Sequence, residues 1–247
     1  MKILVISDLH ANRAALGAVL AAVPGIDGIL CLGDLVNYGP HPVECVHWAR
    51  VETAPLWIVQ GNHDRALGLD EDPRCSGPYR ELAAAMQRVT AAKLTTAQKR
   101  FLASLPTTTQ VSIGGSKAAL CHATPSDPLY AYLPPGAEAA RWEAEVAKAG
   151  HPDFLFVGHT HLPFVRKVGD TVVVNPGSVG QPKTGDPRAC YAVWERGEVT
   201  LHRVGYDVRS VVDDLAQCAP REAALQLGQV LLTGGEPAPV ADRGRSR

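Results

Sequence analysis

Short apolar runs alternate with longer amphipathic stretches from the start of the chain. Ile3-Leu4-Val5-Ile6 is unbroken and rich in β-branched residues, the pattern of a central strand covered on both faces. Ala15, Leu16, Val19 and Leu20 then recur at helical spacing, predicting a helix over 12–23 that Pro24-Gly25 stops. Residues 28–32 read as the next strand, 42–50 as a helix and 56–59 as a third strand. This βαβαβ opening predicts a largely parallel sheet with right-handed crossovers, whose ligand sites form beyond the carboxyl ends of the strands.

Residues 78–105 are rich in Ala, Leu and Gln and predict two helices meeting near Leu94-Thr95-Thr96. A hairpin follows over 108–113 and 117–120, turning at Gly114-Gly115-Ser116. Residues 125–136 form a proline- and tyrosine-bearing loop, 137–149 a helix and 154–157 a further buried strand. The runs 164–168, 171–174, 190–194 and 199–204 resemble antiparallel strands, and 208–218 and 221–232 two last helices. We expect one domain over 1–233, with 78–105 as a helical insertion and helices over about 207–232. The stretch 234–247 lacks the apolar content to pack and is expected to be disordered.

Composition narrows the function classes. The 24 basic and 25 acidic side chains leave a formal charge of −1, which offers no general footprint for nucleic acid or an anionic membrane. The six cysteines form no Cys-x-x-Cys pair, so neither a zinc ribbon nor a redox motif is indicated and a reduced, cytoplasmic setting is the simplest expectation. No signal peptide and no apolar stretch of membrane-spanning length is visible.

The chemistry lies in five polar clusters at predicted strand ends: Asp8-Leu9-His10, Gly33-Asp34, Gly61-Asn62-His63-Asp64, Cys121-His122 and Gly158-His159-Thr160-His161. Taken singly, most have ordinary readings: Asp8 as a helix cap, Asp34 as a turn residue, Asn62 as an Asx-turn, His122 as a core histidine. Two imidazoles at i and i+2 after a buried strand are harder to leave unpartnered, so His159 and His161 are the strongest local sign of metal ligation. Asp34, on the neighbouring strand, has two oxygens able to bridge a pair of cations. Asn62 can ligate through its carbonyl oxygen, leaving His63 free to face a substrate. Together the clusters offer the oxygen and nitrogen ligands of a two-metal hydrolytic site.

The order Asp-x-His, Gly-Asp, Gly-Asn-His-Asp, His, Gly-His-Thr-His resembles the calcineurin-like metallophosphoesterase superfamily. Ser7–Asn12, Gly33–Pro40, Gly158–Phe164 and Asn175-Pro176-Gly177-Ser178-Val179-Gly180 are similar to its small prokaryotic branch of YfcE-like phosphodiesterases, over about residues 1–215. The resemblance implies a four-layer α/β/β/α sandwich, with two mixed sheets flanked by helices and the site at strand carboxyl ends. It also implies that Asp8, His10 and His161 hold one divalent ion, that Asn62, His122 and His159 hold the other, and that Asp34 bridges them. His63 would approach the scissile phosphate as the catalytic side chain, while a hydroxide shared by the two ions attacks in line. Manganese, iron, zinc, cobalt and nickel all suit such mixed ligation.

Phosphoprotein phosphatases of the superfamily carry Asp-Arg where this chain has Asn37 and Tyr38. That absence favours a phosphodiesterase over a phosphomonoesterase or a protein Ser/Thr phosphatase. A noncatalytic binding module on the same scaffold is the alternative of another class; degraded ligands would favour it, and none is degraded. Ala11 and Ala123 stand where many relatives have glycine, which matters only where positive φ or close backbone approach is required. Arg13, Asn37, Tyr130 and Tyr132 are candidate substrate contacts, though the tyrosines can equally pack and Arg13, like Arg65, can be an ordinary surface residue. The expected partner is a small phosphate ester, a nucleotide among the options; oligomeric state is open.

Overall fold

The computed structural model of the protein describes residues 1–75, 77 and 79–237. Its first half runs β1 (Lys2–Ile6), α1 (Arg13–Ala22), β2 (Gly28–Cys31), α2 (Pro42–Val51), β3 (Leu56–Ile58), α3 (Asn62–Leu69), α4 (Tyr79–Lys93) and α5 (Thr96–Ser104). Next come β4 (Thr108–Ile113), β5 (Ser116–Cys121), α6 (Ala139–Lys148), β6 (Phe154–Phe156), β7 (Phe164–Val168) and β8 (Thr171–Asn175). The last described elements are β9 (Ala189–Glu195), β10 (Glu198–Val204), α7 (Val208–Cys218) and α8 (Arg221–Thr233).

The strands form two mixed sheets, ordered β10-β9-β1-β2-β3 and β4-β5-β6-β8-β7. β1, β2 and β3 are parallel neighbours, as are β5, β6 and β8. β9 pairs antiparallel with the free edge of β1, so residues from both ends of the chain share one sheet.

The two-residue period of a strand decides which layer each side chain enters. Ile3, Val5, Leu30 and Leu32 point between the sheets, where they meet Ile113, Leu120, Phe154, Phe156 and Trp194. Leu4, Ile6, Ile29 and Cys31 point the other way, under α1, α2 and α5. On the outer face of the second sheet, Leu155 and Val173 pack against Trp142 and Val146 of α6. The result is the α/β/β/α layering that the motifs imply. A separate cluster, including Met86, Val211, Leu215 and Leu227, joins α4, α7 and α8.

Past α8 the chain stays attached for a few residues. Gly234, at φ 64°, caps the helix, and its carbonyl accepts the Gly185 N–H at 2.7 Å. Of the tail expected to be disordered, Gly234 and Pro237 are therefore buried, and 238–247 lie outside the described residues. Among the described residues no helix is long and apolar enough to cross a membrane.

Candidate metal centre

All five clusters emerge at one edge of the sandwich, because each follows a strand of a parallel pair: Asp8 and His10 after β1, Asp34 after β2, Asn62 and His63 after β3, His122 after β5, His159 and His161 after β6. The backbone leaves extended geometry abruptly there. Asp8 (φ 54°), His10 (43°), Asp34 (55°), His159 (63°) and His161 (60°) are all left-handed, a conformation that costs a non-glycine residue about 1–2 kcal/mol. Such strain concentrates where the surrounding structure fixes it for function. Ala11 is also left-handed, at 51°, so its methyl carries strain that a glycine would not; Ala123 does not share that conformation.

The ring nitrogens decide what the cluster can hold. Nδ1 of His10, His122 and His161 lies 3.3, 2.7 and 2.6 Å from the carbonyls of Val36, Leu32 and Gln181. A carbonyl only accepts, so each Nδ1 carries a proton and each ring, when neutral, turns its Nε2 lone pair inward. There the acceptors crowd one another. His10 Nε2 is 3.1 Å from His161 Nε2, which is 3.3 Å from Asp8 Oδ1. His122 Nε2 is 3.3 Å from Asp34 Oδ2, 3.2 Å from Asn62 Oδ1 and 3.2 Å from His159 Nδ1. The Asn62 amide is fixed with its oxygen inward because its nitrogen donates to the Pro73 carbonyl at 2.8 Å.

Atoms ligating one cation at about 2.0–2.2 Å are themselves about 3–4 Å apart, which is this spacing. Among the described residues two triads could hold an ion, Asp8 with His10 and His161, and Asp8 with Asp34 and His122. Asp34 Oδ2 reaches toward both ends, 3.8 Å from His10 and 3.3 Å from His122. Asp8 Oδ1 is buried and has no hydrogen-bond partner, an orphaned acceptor at the middle of the cluster. The residues fit bound metal ions.

The charge balance agrees. Burial alone would raise the Asp8 and Asp34 carboxyls, but His161 beside the first and His122 beside the second outweigh it and hold both well below the usual carboxylate range. Burial opposes charge on His122, yet Asp34 and then Asp8 push it up to about 10. Burial and the His122 charge push His159 down to about 3, and burial likewise lowers His10.

His63 stands beside the cluster, its backbone N–H donating to Asp34 Oδ1 at 2.9 Å. Asn37 takes the Tyr38 N–H on its oxygen at 2.9 Å, so its amide nitrogen faces His63 Nδ1 at 2.7 Å. His63 Nδ1 therefore accepts, and the proton of the neutral ring lies on Nε2, 3.5 Å from Cys75 Sγ. The structure thus places Asn37 behind the imidazole and not in a substrate wall, because its left-handed backbone (φ 72°) turns the amide inward. Arg13 is also elsewhere: it begins α1, directly after the capping Asn12, and lines an outer groove with Leu16, Val43 and Trp48. Arg65 is engaged by Glu71 at 2.9 Å.

Tyr130 and Tyr132 do line a cavity of about 310 Å³ that opens on Asp34, His63, His159 and His161. Tyr132 is 51% exposed, its ring 6.0 Å from that of His159. The same cavity is lined by Arg74, Cys75, Tyr79 and Lys183, which the sequence did not single out because they sit in loops or at a helix start without ligand-like neighbours. Asp64 is buried behind Asp34 and accepts the N–H groups of Asp34, Leu35 and Gly61 at 2.8, 2.9 and 3.0 Å. It caps α3 and clamps two ligand loops together. Burial and the Asp34 charge push its carboxyl up, against those three donors. Asn175 holds the His159–His161 turn, donating to the Gly158 carbonyl at 2.8 Å.

Known proteins resemble this chain in sequence and fold. A metallophosphoesterase from Sphaerobacter thermophilus is 33% identical with a TM-score of 0.76, the match covering 95% of this chain and 99% of that one. An uncharacterized protein of Methanocaldococcus jannaschii is 33% identical over 235 residues, 87% of this chain and 92% of its own length. A hypothetical protein from Pyrococcus horikoshii OT3, at 22% identity, has the same fold with a TM-score of 0.84 over 95% of this chain and 99% of that one. Residues 1–198 match the calcineurin-like phosphoesterase superfamily domain. Since that span holds every inward-facing acceptor of the cluster, the chain belongs to the calcineurin-like phosphoesterase superfamily and is a hydrolase of phosphoric ester bonds.

Proposed function

We propose that the protein is a phosphodiesterase acting at a dinuclear centre, with Asp8, His10 and His161 holding one divalent cation, Asn62, His122 and His159 the other, and Asp34 between them. One observation carries this reading: three imidazoles, each pinned by a backbone carbonyl at Nδ1, aim their Nε2 lone pairs at each other and at two carboxylates. Cations held there would supply Lewis-acid chemistry, lowering the pKa of a bound water and neutralising charge on the phosphoryl oxygens. The Nε2–H of His63 faces the cavity, where the neutral ring would hydrogen-bond a phosphoryl oxygen and the imidazolium would protonate the departing oxygen. Tyr38 puts an uncharged ring beside His10 and His63, with centroids 5.0 and 4.8 Å away, where the phosphatases carry arginine. A diester, with one negative charge on its phosphate, suits that wall better than a dianionic monoester. Tyr130 and Tyr132 offer faces for an aryl group or nucleobase, so a small nucleotide is the proposed substrate.

With Mn²⁺ supplied, the purified protein is expected to cleave bis-p-nitrophenyl phosphate faster than p-nitrophenyl phosphate, and chelation is expected to abolish both activities. The reverse preference makes it a phosphomonoesterase. Asn37→Asp provides a second check. A carboxylate at Nδ1 favours the imidazolium, so the form of His63 that donates a proton persists to higher pH. The basic limb of the pH–rate profile is expected to move up by about one pH unit or more. An unmoved limb removes His63 from proton donation.

A further inference from the structure

Two cations in the cavity are unclaimed by the chemistry above. Lys183 Nζ lies 4.1 Å from the centroid of the Tyr79 ring, and the Arg74 guanidinium 4.3 Å from that of Tyr130. Among the described residues neither has a carboxylate within 4.0 Å, whereas Arg65 and Arg188 do. Both are tied to the metal cluster through the chain. Arg74 follows Pro73, whose carbonyl orients Asn62, and Lys183 is two residues beyond Gln181, whose carbonyl orients His161. Both side chains line that one cavity.

Lys183 stands back from His63. Tyr79, under Lys183, packs edge-on against Tyr38 at 5.9 Å, and Tyr38 in turn against His63 at 4.8 Å, so the lysine is two rings removed from the catalytic histidine. Burial lowers the Lys183 amine below the usual lysine range, opposed by Glu236 and Asp8. Glu236 is an exposed residue whose side chain lines the same cavity.

We infer that Lys183 and Arg74 form a second anion subsite, so that the substrate is a nucleotide-like diester bearing a further phosphoryl group beyond the one cleaved. This rests on the phosphodiesterase reading but is separable from it. Aromatic faces beside cations suit a base and a phosphate together: Tyr130 and Tyr132 take the planar group, and Lys183 and Arg74 pair with the distal charge. Glu236 repels that charge and sets the affinity of the subsite.

The test compares thymidine 5′-(p-nitrophenyl phosphate) with its 3′-phosphorylated form, by kcat/KM on the Mn²⁺-loaded protein. Thymidine 5′-monophosphate and thymidine 3′,5′-bisphosphate are compared in parallel by calorimetric binding. The second phosphate is expected to improve both measures by at least about tenfold, as a charge-assisted contact does. Lys183→Met is expected to remove most of that advantage, and Glu236→Gln, at an exposed position, to enlarge it about threefold. Equal handling of each pair by the wild-type protein overturns the inference while leaving the phosphodiesterase reading intact. A Lys183→Met variant that loses the same factor with and without the 3′-phosphate also overturns it, by assigning the lysine to the reacting phosphate. If no ester is hydrolysed, the phosphodiesterase reading fails, and the binding arm still decides the subsite by the same two criteria.

Discussion

Asp34→Asn is expected to lower kcat/KM for bis-p-nitrophenyl phosphate by about a thousandfold or more, with bound metal falling in parallel. The substitution keeps the shape of the side chain and an oxygen able to take the His63 N–H, now 2.9 Å from Oδ1, so the fold has little reason to change. What it removes is one negative charge between His10 and His122, whose Nε2 atoms lie 3.8 and 3.3 Å from Oδ2. A cation in contact with a phosphoryl oxygen supplies several kcal/mol of transition-state stabilisation, and each 1.36 kcal/mol or so is tenfold in rate. Losing the carboxylate that joins the two ends of the cluster removes much of that. Elemental analysis and steady-state kinetics on one preparation, with circular dichroism as the folding control, check it. Full activity at full metal content would take Asp34 out of the centre.

The layering and the convergence of the polar clusters were legible because both depend on periodicity and on position relative to strand ends. Ile3, Val5, Leu4 and Ile6 alternate between two buried layers, and an unbroken apolar run reports that situation directly. What the sequence could not convey was non-local. The run that became β9 reads like one more strand of an antiparallel half, yet it crosses back to pair with β1, since alternation says nothing about the partner of an edge. Arg13 follows Asn12 directly, but the helix that starts there turns it away from the cavity. Asn37 reads as a polar loop residue, and only the Tyr38 N–H, which fixes its amide, shows that it holds a histidine in one tautomer. The left-handed φ values at Asp8, His10, Asp34, His159 and His161 fall on residue types enriched in that region, but residue type alone does not say which Asp or His adopts it.

That strain must be held by something, and Asp64 is the group best placed to hold it at Asp34. Its buried carboxylate takes three backbone N–H groups, two from the loop after β2 and one from the loop after β3. The loops are close enough that a Cβ on Gly61 would overlap the Asp34 carboxylate. Asp64→Ala leaves those donors buried without partners, at about 1–3 kcal/mol for each unsatisfied group. Partial relaxation reduces the total, so the expected destabilisation is about 3–5 kcal/mol, or a fall in Tm of about 10 °C or more for a domain of this size. Asp64→Asn keeps one acceptor oxygen and should fall between the two. Thermal unfolding of both variants checks the order. Activity adds a second criterion: with the clamp gone, the Asp34 backbone can leave its left-handed conformation, so Asp64→Ala should lose kcat/KM and metal even at temperatures where it remains folded. A variant that is destabilised yet fully active when folded would show that Asp64 supports only the helix cap, and that the Asp34 loop is held from elsewhere.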